Sequence, residues 1–411
     1  LVMAAVIDVG IARADRGYVG RMCLVMAGLG VVGLVCSITA QFFAAKASVG
    51  IAAKLRHNLF AHIQTLSYTE MDTVGTSTLI TRMTSDINQV QNGLNLALRL
   101  LLRSPFVVFG AMVMAFTIDV PAALVFVVAI PLLAVVVFGV MLWTMPRYKQ
   151  VQAGLDKVLG ATRENLTGVR VIRAFGREAA ENQRFQQENN ALTKLQEHVG
   201  KISALMNPVT YVIINLAAVA LIWVGAVRVD TAILTQGAVV ALLNYMSQIL
   251  VELIKLANLI INITKALACM GRVQAVLDTP SSMEAPQAFS GTAGRGGSVE
   301  FRGVGLTYQG AGEASLSGLD FSVKPGDTVG IIGGTGSGKS SLVNLIPRFY
   351  DATQGAVLVD GRDVREFPLS QLRQRVGVVP QRAQLFSGTI RENLLWGNPN
   401  ATEADLWQAL E

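Results

Sequence analysis

Up to about residue 270 the chain is a series of long uncharged apolar runs separated by polar, amphipathic stretches. Met22–Ala45 carries no charge. Ser104–Ile118 and Ala122–Pro146 are joined by the short polar turn Asp119-Val120-Pro121, and Leu205–Val227 and Thr231–Val251 by Arg228-Val229-Asp230. A membrane-crossing helix needs about 20 predominantly apolar residues, so the pattern predicts five complete transmembrane spans. Leu1–Val9 reads as the tail of one more. Pro131 lies inside the third run, where neighbouring groups can satisfy the carbonyl it frees. The long connections 46–98 and 147–204 keep a helical rhythm. Val158, Ala161, Leu166, Val169, Ile172 and Phe175 recur every three or four residues as one packed stripe. Glu252 and Lys255 lie about one helical turn apart beyond the last uncharged run. They read as an ion pair at the membrane exit, with a polar patch in a translocation path as the sharper alternative.

Beyond residue 280 the pattern changes. Pro280–Gly297 is dense in Pro, Gly, Ser and Ala without periodicity and reads as a linker. Short strands are predicted at Val299–Phe301, Val304–Tyr308, Leu319–Val323 and Ala356–Val359. Two further β-branched runs, Val329–Ile332 and Val376–Val379, have the character of buried strands. A helical piece is expected at Leu372–Arg375. Thr402 with Asp405 three residues on suggests a capping box opening a final helix. The predicted division is 1–279, a helical membrane domain with long cytoplasmic extensions; 280–297, a linker; and 298–411, part of an α/β domain.

Composition sharpens this reading. Apolar residues make up 52% of the 411 and charged ones only 15%, with mean hydropathy +0.46, against a quarter charged in ordinary soluble domains. The net charge of +6 does not indicate nucleic acid, because the basic residues flank apolar runs and no aromatic-interleaved basic patch occurs. Lys46, Lys54, Arg56, Arg82, Arg147, Lys149, Arg163 and Arg173 all lie in the two long connections. The positive-inside bias therefore puts these connections in the cytoplasm. Arg99 and Arg103 can snorkel at the foot of the second span. Cys23, Cys36 and Cys269 form neither a disulfide framework nor a metal spacing.

The candidate chemistry is concentrated in Thr328–Ser341. An apolar run leads into Gly333-Gly334-Thr335-Gly336-Ser337-Gly338-Lys339-Ser340 and then into Ser341 and a helix-like stretch. This is a phosphate-binding loop in a strand–loop–helix setting. Glycines let successive backbone N–H groups turn toward an anion. Lys339 can set a point charge on the β- and γ-phosphates, and Ser340 can offer a hydroxyl to Mg²⁺. Gln381, just after the run 376–379, is placed to reach Mg²⁺ or an attacking water, or is a plain strand-end residue; spacing does not separate the two.

On these motifs the chain resembles an ATP-binding-cassette exporter half-transporter, with six transmembrane helices fused ahead of a nucleotide-binding domain. Gly333–Ser340 is similar to its Walker A motif, and Gln381 with Leu385–Gly397 resembles its Q-loop region. Gly75–Asp86 resembles the segment after its first intracellular coupling region, Glu164–Glu178 the descending helix of its second cytoplasmic excursion, and Ala268–Asp278 the helix leading into its linker. The resemblance implies an α-helical exporter-type membrane domain, five full spans of an expected six, and a partial α/β P-loop domain. It implies ATP and Mg²⁺ as ligands, Tyr308 stacking on adenine, and Lys339 and Gln381 in catalysis. The implied partners are a second half-transporter, identical or different, a lipid bilayer at the cytoplasmic membrane, and a hydrophobic or amphipathic cargo. The family's signature sequence, Walker B aspartate, catalytic glutamate and switch histidine should follow the Q-loop and are not among these 411 residues, so the chain is expected to be a fragment missing both ends. Alternatives are an importer, a channel-like or non-transporting regulator on the same scaffold, or a membrane-tethered P-loop kinase or GTPase. Importers usually carry the membrane part on a separate chain, and no guanine-reading Asn-Lys-x-Asp occurs.

Overall fold

The computed structural model describes residues 1–101, 103–283, 286, 296–381 and 384–411. Most of the linker expected at 280–297 therefore lies outside the described residues. Long helices run over Arg16–Thr65 (α1), Val120–Thr167 (α5), Glu178–Asp230 (α6) and Gln236–Leu277 (α7). Between the first two of these come Tyr68–Val74 (α2), Ile87–Leu100 (α3) and Arg103–Ile118 (α4). Among the described residues, five helical segments are long and apolar enough to cross a membrane, the second of them running over Thr76–Ile118. The chain forms two compact units: Leu1–Ala61 with Leu79–Asp278, and His62–Thr78 with Thr279–Glu411.

The first unit is a helical bundle. Its core is built from Phe126 and Leu133 of α5, Leu221 of α6, Leu242, Met246 and Ile249 of α7, and Ala115 of α4. Small residues set the closest approaches. A Cβ at Gly93 of α3 would sit 2.3 Å from the Ala266 Cβ of α7, so only glycine lets these helices meet there. Just before α3, Arg82–Asp86 forms a π-helical turn. Asp86 is buried and receives Arg272 of α7 through two hydrogen bonds, Nε at 3.0 Å and Nη2 at 2.6 Å, and Arg82 at 2.8 Å.

Two expectations for this unit are corrected, and a third, the Glu252–Lys255 pair, is borne out with a further partner. The turn expected at Arg228-Val229-Asp230 is helical; α6 continues through Asp230, and the chain turns over 231–235. Arg228 is instead engaged by Asp119 at 2.6 Å, and Asp119 also caps α5 by accepting from Ala122 N at 3.0 Å. Paired in this way, the charges permit one more helical turn. Glu252 and Lys255 do pair, at 2.9 Å and three residues apart, but Glu252 is fully buried and also accepts from the Ser104 hydroxyl at 2.8 Å. The contact is thus a tie between helices α4 and α7 as well as a neighbour pair. The stripe in 150–200 is buried at Val158 and Ala161, whereas Leu166 and Phe175 are exposed. The helix ends at Gly168, and with it the period that would carry the stripe further.

The second unit is built on a sheet of order β2-β1-β3-β4, with Val299–Leu306 (β1), Leu316–Val323 (β2), Gln354–Val359 (β3) and Arg362–Asp363 (β4), all pairs antiparallel. The two strands expected over 299–308 are one. Register shifts on either side of Val304 reset the alternation, so Val304, Gly305 and Leu306 are all buried. Phe301, Phe367, Leu345 and Leu372 fill the core, the last two from helices Lys339–Leu345 (α8) and Leu369–Arg375 (α9). Short helices Ile390–Leu394 (α10) and Glu403–Leu410 (α11) follow; Thr402 and Asp405 form the expected capping box of α11.

The runs 329–332 and 376–379 are corrected as well. Neither joins a ladder with any described residue, and Ile332 and Val379 are 98% and 96% exposed. Their β-branched composition favours a strand, but a strand exists only where a neighbour accepts its hydrogen bonds.

Candidate functional site

The glycine-rich loop is a closed structure. Gly336 and Gly338 adopt φ of +83° and +84°, a left-handed backbone that only glycine takes without strain. At Gly338 a Cβ would also meet Leu316 Cδ2 at 2.6 Å, and at Gly333 it would meet the Ser337 hydroxyl at 2.5 Å. Lys339 curls over this loop. Its ammonium donates to the carbonyls of Gly333 at 2.8 Å and Gly334 at 2.6 Å, and to Ser337 Oγ at 3.3 Å. The loop thus brings together Gly333, Gly334, Ser337, Gly338 and Lys339, with Thr335 and Gly336 at its exposed crest. Ser340 and Ser341 open α8. Glycines leave the loop's backbone uncovered, and the Lys339 ammonium is held against its carbonyls.

Tyr308 is tied to the same loop. Its hydroxyl donates to Ser341 Oγ at 2.8 Å, and its ring meets that of Tyr350 edge-on, 5.1 Å between centroids. Tyr350, just after α8, passes the contact on. Its hydroxyl donates to Asp72 Oδ2 of α2 at 2.6 Å, and its ring and that of Phe349 both pack on Tyr68. Burial, followed by the Asp72 hydrogen bond, pushes the Tyr350 hydroxyl well above its ordinary range, so it remains a donor. Thr73 adds a contact to Gln309 at 3.4 Å. A continuous path therefore runs from Ser341 through Tyr308 and Tyr350 to α2.

The other side of α2 is anchored by Glu70. This buried carboxylate accepts from the backbone of Ser67 at 2.8 Å, from the Ser67 hydroxyl, and from Ser282 N at 3.3 Å. Burial pushes its pKa up, but the hydrogen bonds from Ser282 and Ser67 outweigh that and hold it below the usual carboxylate value. Gln381 stands apart, exposed at a bend; among the described residues it makes no hydrogen bond to the loop. Sequence reading missed Tyr68, Asp72 and Tyr350. The aromatic pair Phe349-Tyr350 immediately after α8 was the available signal, but nothing local pointed to Asp72, 278 residues away.

Replacing Tyr350 by Phe removes the hydroxyl and keeps the ring. One hydrogen bond to a charged group is worth about 1.5–3 kcal/mol. This bond is exposed to water, so Tyr350→Phe should lower the stability of the second unit by about 1 kcal/mol or less. Thermal unfolding of the two proteins tests this; a loss of several kcal/mol would mean that the hydroxyl does more than cap this contact.

Residues 1–253 match the family described as ABC transporter transmembrane region, and 316–411 match the family described as ABC transporter. The chain is 37% identical over 414 aligned residues to an "uncharacterized ABC transporter ATP-binding protein" of Mycobacterium tuberculosis, covering all of this chain and 71% of that protein. It is 30% identical over 362 residues to an ATP-dependent lipid A-core flippase of Syntrophus aciditrophicus, covering 87% of this chain and 59% of the flippase. A putative multidrug export ATP-binding/permease protein of Bacillus subtilis is 33% identical over 376 residues, 90% of this chain and 64% of that protein.

Proposed function

Starting from the chain's membership of the ABC transporter family, with a transmembrane region and an ATP-binding domain in one polypeptide, we propose that it is an exporter half. Paired with a second half, it uses ATP to move a hydrophobic or amphipathic substrate out across the cytoplasmic membrane. The observation that carries this reading is the closed phosphate loop, with Lys339 on its rim, in the same chain as five candidate spans. Relatives named for lipid A-core, fatty acid and multidrug transport agree with a lipophilic cargo. The division into 1–279, 280–297 and 298–411 belongs to the same proposal.

Gly333, Gly334, Thr335, Gly336, Ser337, Gly338 and Ser341 line the phosphates, and Lys339 draws charge from the transferring phosphoryl group. The Ser340 hydroxyl would hold Mg²⁺, and Gln381, exposed and apart from the loop in this structure, would have to approach the loop to join it. Bound Mg²⁺ neutralises charge on the phosphate oxygens. Tyr308 stacks on adenine, and through Tyr350 it links nucleotide binding to α2. Tyr308→Ala should weaken Mg-ATP binding to the full-length protein about tenfold, since base–aromatic stacking is worth about 1–3 kcal/mol. Tyr308→Phe, which loses only the Ser341 contact, should bind nearly as wild type. A titration showing the alanine variant unchanged removes Tyr308 from the site. The exporter reading itself is tested with inside-out liposomes holding the full-length protein. ATP-dependent uptake of a fluorescent lipid or hydrophobic cation is expected; hydrolysis without uptake across a panel of such compounds overturns it.

A further inference from the structure

Two arginines in the first unit have no task in the transport reading. Arg99, in the last turn of α3, and Arg103, at the start of α4, precede the uncharged run Ser104–Ile118 on the side of the long connection 46–98, which places them at the cytoplasmic edge of the second span. Neither guanidinium forms a salt bridge or hydrogen bond among the described residues. Glu252, engaged by Ser104 and Lys255, also lies close enough to Arg103 to attract its charge, whereas Arg99 has no anionic neighbour among the described residues. A cation left unpaired at this depth is costly and calls for an anion.

The same arginines line a groove of about 430 Å³ between α1 and the α3–α4 corner. On the α1 wall, Ser37 and Gln41 stand one turn apart, with Gln41 Nε2 donating to Ser37 Oγ at 3.3 Å. That contact leaves the second amide N–H of Gln41 available to a ligand. Ala40 and Leu98 add apolar surface beside them. All of α1 from Met22 to Ala45 is uncharged, so the groove opens along an apolar helix. Two guanidiniums and an amide next to an apolar wall match a phosphate joined to acyl chains, and arginine suits phosphate through its paired donors. The cytoplasmic leaflet is where anionic lipids are found.

We propose that this groove binds the headgroup of an anionic phospholipid of the cytoplasmic leaflet. Arg99 and Arg103 hold its phosphate, Gln41 and Ser37 hydrogen-bond to it, and Leu98 and Ala40 receive the start of an acyl chain. The site rests on the membrane reading of this chain and is independent of ATP use and of cargo.

The test uses full-length protein in phosphatidylcholine nanodiscs containing a minor fraction of photoactivatable phosphatidylglycerol, with crosslinked peptides mapped by mass spectrometry. Crosslinks are expected in 33–41 and 98–103. Arg99→Gln/Arg103→Gln should cut them about tenfold or more, the scale of one or two charge-assisted hydrogen bonds. The pair Arg99→Lys/Arg103→Lys should keep most of them. Basal ATP hydrolysis should persist in both, so failure here is distinguishable from failure of the exporter reading. Crosslinks elsewhere, equal labelling by photoactivatable phosphatidylcholine, or full competition by glycerol 1-phosphate would overturn the proposal, the last by pointing to a free phosphate ligand. If the glutamine variant does not fold, the wild-type crosslink map decides alone.

Discussion

Lys339→Ala in the full-length protein is expected to lower ATP hydrolysis about 10²–10³-fold, the usual scale for removing one preorganised charge from a transition state. Nothing in the core should change. The Lys339 side chain lies on the loop, donating to Gly333, Gly334 and Ser337, and it does not belong to the cluster around Phe301 and Phe367. Those acceptors keep the ammonium at the rim of the loop, so an incoming phosphate oxygen need only replace carbonyls as its partner. Arginine should not rescue the defect. A guanidinium spreads its charge over a plane and cannot set it as a point on the phosphoryl group as an ammonium does. Steady-state hydrolysis and thermal unfolding of the same preparations separate the two effects. Wild-type turnover in the alanine variant would remove Lys339 from the chemistry.

The second large effect is expected at Asp86. Its carboxylate holds Arg272 of α7 and Arg82 of its own turn, tying the π-helical turn to the last long helix of the unit. The Arg272 hydrogen bonds, opposed by burial and helped by Arg82, hold its pKa below the ordinary value of 3.8. Arg272 is correspondingly raised, first by its hydrogen bond to Asp86. Breaking a buried pair from one side costs about 3–5 kcal/mol. Arg272 is nearly half exposed, so water recovers part of its solvation, and about 2–3 kcal/mol is the fitting expectation for Asp86→Asn. In thermal unfolding that is a fall of roughly 5–10 °C. The sign with pH follows from the lowered pKa. The stabilisation is complete above the ordinary carboxylate value and is lost as pH falls through the depressed one. The variant should therefore lose less stability than the wild type on acidification below about pH 4. Equal melting of the two at neutral pH would mean the cluster holds nothing together.

Both effects depend on placement that residue patterns convey unevenly. The bundle was legible because uncharged runs such as Met22–Ala45 have few other stable fates. The loop was legible because Gly336 and Gly338 serve a backbone requirement that can be read from residue type. The capping box of Thr402 and Asp405 was equally local. By contrast, the runs 329–332 and 376–379 record a tendency toward strands, and no composition says whether a neighbour is there to pair with. The charges at Arg228 and Glu252 suggested a turn and a membrane exit. Their partners, Asp119 and Ser104, lie more than 100 residues away along the chain.

By itself, the sequence determined the membrane-crossing helices, the glycine loop and the family, because each depends on residue type over a short stretch. Tertiary structure alone decided that Asp86 meets Arg272, that Tyr308 reaches α2 through Tyr350, and that Arg99 and Arg103 face a groove with Gln41. Such contacts arise where packing brings distant stretches of chain together. They follow from the geometry of the whole unit, which no local period or motif encodes.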